Sequence, residues 1–129
     1  MARTALELVA EARNQIDDVS PNDAFAEIAA GRAVALDVRE PVEWEHHIAG
    51  AVQVPRGLLE FAADPTSPRH KPELDPARRV IVYCRSGARA VLAGVTLKTL
   101  GFADVANLGG GITAWKAAGL PLAEHHEGM

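Results

Sequence analysis

Residues 79–101 read RVIVYCRSGARAVLAGVTLKTLG, and the change of pattern inside them decides the fold. Val80, Ile81, Val82 and Tyr83 form a short β-branched and aromatic run, which suits a strand buried on both faces, as in a parallel sheet. From Ala90 the period changes: Ala90, Ala93, Gly94, Leu97 and Leu100 recur at helical spacing, and Gly101 follows as a stop. Cys84-Arg85-Ser86-Gly87-Ala88-Arg89 lies between strand and helix. Its thiol therefore sits at the carboxyl end of a strand and the amino end of a helix, the edge where open α/β sheets bind ligands. The first amides of a helix lack intrahelical partners, and the helix dipole adds positive potential there. Arg85 and Arg89 add two permanent charges, and Gly87 permits a tight backbone and close approach of an anion. Surroundings of this kind stabilise a thiolate. A small buried cysteine is commonly inert, but the two arginines, the glycine and the place of the turn all favour a reactive thiol.

Upstream, Ala5, Leu8, Val9, Ala12 and Ile16 mark one face of an amphipathic helix over residues 3–18. It reads as a flank of the domain, with a partner-binding or dimerising role left open. Val19 falls in a very short edge strand. Ser20 as N-cap and Pro21 at the first position start a second helix, with Phe25, Ile28 and Ala29 as its buried stripe and Gly31 as its end. Residues 33–37 form a strand that Asp37-Val38-Arg39-Glu40 closes, and Pro41 opens a helix that includes Val42, Glu43 and Trp44. Asp37 and Arg39 thus lie near the binding edge, where charge-assisted hydrogen bonds would let them hold neighbouring loops. His46 and His47 are adjacent, as are His125 and His126, and neighbouring side chains rarely converge on one ion without other ligands. The reading is no metal site, a loop-anchoring His47 and an exposed His46.

Residues 56–63 predict a helix with Leu58, Leu59 and Phe61 as its apolar residues, and the prolines at 65, 68, 72 and 76 an extended surface connection. Val105 and Leu108 flank Asn107 in a last short strand. Gly109-Gly110-Gly111 then leads into a final helix with Ile112, Ala114 and Trp115, closed by Gly119 and Pro121. The glycine triplet lacks the G-x-x-x-x-G-K-[ST] phosphate loop and reads as a tight turn that lets backbones approach. The expected fold is α/β: a three-layer domain with a mostly parallel sheet of about five short strands and helices on both faces.

The chain has 129 residues, enough for one domain with a real core: 1–129, with 3–18 as an extra helix and 122–129 as a tail. A net charge of −4 argues against nonspecific nucleic-acid binding. No apolar run approaches the roughly 20 residues of a membrane span, and the amino terminus lacks the apolar core of a secretory signal. The single cysteine excludes an internal disulfide or a C-x-x-C pair and makes a reducing cytoplasm the expected home.

The 84–89 stretch resembles the active-site loop of the single-domain rhodanese sulfurtransferases, C-x-x-G-x-R or a variant. Cys84, Gly87 and Arg89 match, and arginine is also frequent at the position of Arg85. The family's D-x-R segment is met by Asp37-Val38-Arg39. Its G-H-I-x-G-A followed by a short strand ending in proline is met by His47, Ile48, Gly50, Ala51 and Pro55, with His46 where glycine is usual. Its N-L-x-G-G-I-x-x-W is met by Asn107, Leu108, Gly110, Gly111, Ile112 and Trp115, so the matches run in order over about residues 20–121.

The resemblance implies a sulfurtransferase that needs no cofactor or metal. The Cys84 thiolate would take the outer sulfur of thiosulfate or a similar small anionic donor. The resulting persulfide would pass its sulfur to cyanide, a thiol or a protein acceptor. Arg85, Ser86, Gly87, Ala88 and Arg89 would bind the substrate, with Asp37 and Arg39 in support. Two other readings rank behind it. A noncatalytic or sulfur-carrier domain that binds a partner fits less well, because family members of the noncatalytic kind commonly lack the cysteine. A cysteine phosphatase or arsenate reductase fits less well, because the phosphatase loop reads C-x5-R and the sixth residue beyond Cys84 is Ala90.

Overall fold

The computed structural model describes residues 2–124. Thr4 opens the first helix, α1 (Ala5–Gln15), through a capping box with Glu7. The helix ends three residues earlier than its periodicity predicts, because Ile16 is already extended and leads into β1 (Asp17–Val19). Ala12 and Ile16 are buried, whereas Ala5 and Leu8 stay exposed, so the apolar face meets the core only at its carboxyl end.

Ser20 caps α2 (Pro21–Ala29) by accepting from Asp23 N. Its expected stripe is corrected: Ala24 is the buried residue, Ile28 is half-buried, Ala29 is exposed and Phe25 is 38% exposed. A small side chain lets α2 lie close to the sheet, while Phe25 meets Trp115 edge-on at 5.9 Å. Next come β2 (Val34–Asp37), a three-residue 3-10 turn at Pro41–Glu43 in place of a full helix, β3 (His46–His47) and β4 (Val52–Gln53). The helix expected over residues 56–63 divides into a 3-10 turn (Arg56–Leu58) and α3 (Leu59–Ala63).

The decisive stretch supplies β5 (Val80–Tyr83) and α4 (Ala88–Thr99), which begins two residues before its apolar periodicity does. Then follow β6 (Val105–Leu108), α5 (Gly111–Ala117) and β7 (Ala123–Glu124). β6 is therefore not the last strand. Part of the expected tail pairs antiparallel with β3, opposing His46 to Glu124 and His47 to Ala123. His125 and His126 lie outside the described residues.

The main sheet is parallel throughout, in the order β1-β6-β5-β2-β4, with β5 at its centre. Alternation along β5 divides the core into two clusters. Val80 and Val82 join Ile16, Leu59, Ala90, Ala93 and Leu97, which belong to the layer of α1, α3 and α4. Ile81 and Tyr83 join Ala24, Ile112 and Trp115 in the layer of α2 and α5. Gly94 lets α1 and α4 close together, since a Cβ there would lie 3.1 Å from Ile16. No helix among the described residues is long and apolar enough to cross a membrane.

Candidate active site

Cys84 follows the last residue of β5, and Gly87 is the N-cap of α4, so the thiol stands at the junction of strand and helix. The Sγ atom accepts a hydrogen bond from Gly87 N at 3.1 Å, and Cys84 is only 2% exposed. Gly87 has φ +125°, a backbone that side-chain-bearing residues rarely adopt. Glycine here folds the chain back so that its own amide meets the sulfur.

The other side of the loop is held by α5. Ile112 N donates to Cys84 O at 3.0 Å, and Thr113 N donates to Arg85 O at 3.2 Å. In a trans peptide the N–H and C=O point opposite ways, so these bonds turn the amides of Arg85 and Ser86 away from α5. Gly111 makes the approach feasible: a Cβ there would lie 2.5 Å from the Arg85 carbonyl carbon and 2.7 Å from Cys84 O. The reading of the glycine triplet as a close approach of backbones is met at this contact.

The two loop arginines are not equivalent. Arg89, in the first turn of α4, is bound bidentately by Glu43 at 2.8 and 3.0 Å. The Arg89 guanidinium in turn holds the Glu43 carboxyl down at about 2. Arg85 is exposed and its side chain has no ion-pair or hydrogen-bond partner among the described residues. It lines an open cleft of about 490 Å³ with Arg39, Glu43, Ile112, Thr113 and Lys116. Ser86 and Ala88 are exposed on either side of the buried Gly87.

Asp37 and Arg39 form a buried pair beside the loop. Arg39 donates through Nε and Nη2 to Asp37 at 3.0 and 2.8 Å, and Nη2 also reaches His46 O at 2.8 Å. The Arg39 guanidinium lies 5.7 Å from the centre of the Tyr83 ring. Tyr83 is fully buried, and its hydroxyl accepts from Ile48 N at 3.1 Å. Burial, with Asp37 nearby, pushes this phenol far above its ordinary range, so it stays neutral. His47 Nδ1 lies 3.1 Å from Trp44 O, and His46 faces Glu124 at 3.6 Å across the β3–β7 pair. Sequence reasoning singled out neither Glu43 nor Lys116 for the site. Both are ordinary surface-type residues in the sequence and gain their place through the tertiary fold.

A thiol under a backbone amide, at a parallel-sheet edge and beside a cationic cleft, is the geometry expected from the C-x-x-G-x-R loop. A family model of the rhodanese-like domain matches residues 7–118. The chain belongs to the rhodanese-like domain family. This rhodanese-like domain is 36% identical over 110 residues to a sulfurtransferase of Allochromatium vinosum, covering 84% of this chain and 94% of that protein. It is also 36% identical over 99 residues to the probable adenylyltransferase/sulfurtransferase MoeZ of Mycobacterium tuberculosis, covering 75% of this chain. There the match spans only 24% of the longer protein. Among solved structures, a Rhodopseudomonas palustris protein of unknown function, described as a possible tyrosine phosphatase, superposes with a TM-score of 0.86 at 34% identity. That alignment covers 95% of this rhodanese-like domain and 96% of the other chain.

Proposed function

We propose that this domain is a sulfurtransferase carrying sulfane sulfur as a persulfide on Cys84. The observation that carries the reading is the buried Sγ under the Gly87 amide, beside a cleft that offers the uncommitted Arg85. The thiolate attacks the outer sulfur of an anionic donor such as thiosulfate; the new S–S bond forms as the old one breaks, and sulfite leaves with its electron pair. Cyanide or a thiolate then takes the outer sulfur and returns Cys84 as thiolate. The Gly87 amide, with those of Arg85 and Ser86 turned away from α5, receives the charge on the terminal sulfur. Arg85 draws the donor in, while Arg89, locked to Glu43, holds the first turn of α4 against the 3-10 turn. Asp37 and Arg39 support the neighbouring loops through the buried pair. A phosphatase reading suits the loop less well, since Arg89 stands five residues beyond Cys84 rather than six.

Intact mass after incubation with thiosulfate tests the chemistry. A gain of one sulfur that cyanide removes as thiocyanate is expected. A thiol that stays unmodified with thiosulfate and polysulfide alike would sink the reading.

Arg85→Ala is expected to raise the donor KM about five-fold with little change in kcat, because one exposed guanidinium contributes on the order of 1 kcal/mol to capture of a dianion. The salt dependence of kcat/KM should weaken in parallel. Steady-state kinetics at several ionic strengths, varying donor and acceptor separately, reads this. Unchanged donor KM and salt dependence would make Arg85 a plain surface charge.

A further inference from the structure

We infer that Arg13, on α1, is a specificity-determining residue of the Cys84 site that selects for negatively charged ligands. α1 lies outside the strand-to-helix unit that builds the thiol loop, yet its last turn reaches that loop. A Cβ on Gly87 would lie 3.6 Å from Arg13 Nη2 and 3.9 Å from Nη1, so both terminal nitrogens of the guanidinium face Gly87. The amide of that same Gly87 donates to Cys84 Sγ.

The charge is uncommitted. Arg13 is exposed and has no hydrogen-bond or ion-pair partner for its side chain among the described residues. Of the two acids on the neighbouring strand, Asp18 accepts through Oδ1 from Asn107 Nδ2 at 2.8 Å, and neither Asp17 nor Asp18 forms an ion pair with Arg13. Arg89, the loop's other cation beside Arg85, is neutralised by Glu43. Among the described residues, the cations free to meet an anion near the loop are Arg85, from the loop itself, Lys116, from α5 in the same cleft, and Arg13, from α1.

The helix that carries Arg13 is held in place at both ends. The Thr4–Glu7 capping box and the Arg3–Glu11 ion pair fix its start. Ala12 and Ile16 are buried at its carboxyl end, and Lys98 Nζ donates to Gln15 O at 2.8 Å. A basic residue in a last turn also suits the helix dipole. That role alone would affect stability and leave ligand charge indifferent.

The inference rests on the proposed chemistry of Cys84 for its biological meaning, so the test reads ligand charge without requiring sulfur transfer. Cys84, the chain's lone thiol, gives iodoacetate and iodoacetamide a single cysteine to alkylate. In both cases the thiolate displaces iodide from carbon, and the reagents differ in charge. The ratio of the two rate constants is expected to fall about threefold in Arg13→Gln and to recover in Arg13→Lys. Arg32→Gln, which removes the same charge two residues before β2 at the opposite end of the sheet, should leave the ratio unchanged. The KM for thiosulfate should rise about threefold in Arg13→Gln alone. An unchanged ratio in Arg13→Gln, with or without a shift in melting temperature, overturns the inference, as does an equal fall in Arg32→Gln. Wild-type protein that gains no sulfur from any donor would instead overturn the proposed function and leave the alkylation ratio to decide the role of Arg13.

Discussion

Cys84→Ser is expected to abolish sulfur transfer while leaving the fold intact. The chain has no other thiol to carry a persulfide. A serine oxygen can accept the Gly87 amide much as sulfur does, so the turn keeps its hydrogen bond. A hydroxyl, however, remains protonated where a thiol ionises, and oxygen in place of sulfur cannot form the persulfide. Thiocyanate release should fall to the uncatalysed background, at least about a thousandfold below wild type. The stability change should stay within about 1 kcal/mol, because the substitution nearly conserves volume. Turnover retained in this variant would move the chemistry off Cys84 altogether.

Gly111→Ala should produce the largest combined loss of stability and activity away from the thiol. The new methyl would fall on the Cys84–Arg85 backbone, with contacts of 2.5 and 2.7 Å to a carbonyl carbon and a carbonyl oxygen. Backbone cannot rotate aside as a side chain can. Gly111 also has φ +62°, which adds conformational strain. Together these should cost about 3 kcal/mol. Relief requires the loop to move away from α5, which breaks the Ile112 N–Cys84 O and Thr113 N–Arg85 O bonds. A displacement of about 1 Å at the thiol loop should slow persulfide formation on the order of a hundredfold. Gly119→Ala separates the two causes. Its φ is +73°, but nothing lies within 4 Å of the added methyl, so it should cost about 1 kcal/mol and leave the rate alone. Denaturant midpoints and the rate of sulfur loading measure both variants. Wild-type loading in Gly111→Ala would mean that α5 does not position the loop.

Much of the fold follows from short-range chemistry. Val80–Tyr83 declares a buried strand because four successive side chains suit both faces of a parallel sheet. Ser20 and Pro21 declare a helix start because one accepts a free amide and the other needs none. Short elements resist such reading. The Pro41–Glu43 turn is too brief to express a period, and β3 and β7 become strands by pairing with each other across 78 positions at His46↔Glu124 and 76 at His47↔Ala123.

The sequence by itself determined the sheet's central strand, the helix that follows it and the thiol between them, because each depends on residues adjacent in the chain. Tertiary structure alone decided which charges lie around that thiol and which of them are paired. Glu43 reaches Arg89 across 46 positions and cancels the charge that the loop sequence promised. Arg13 comes to Gly87 from a helix that precedes the sheet, and the amides of α5 take the carbonyls of Cys84 and Arg85. Parallel crossovers bring these segments to one edge, and the approach of two backbones at Gly111 or of a guanidinium at Gly87 depends on their packing, which leaves no local pattern in the chain.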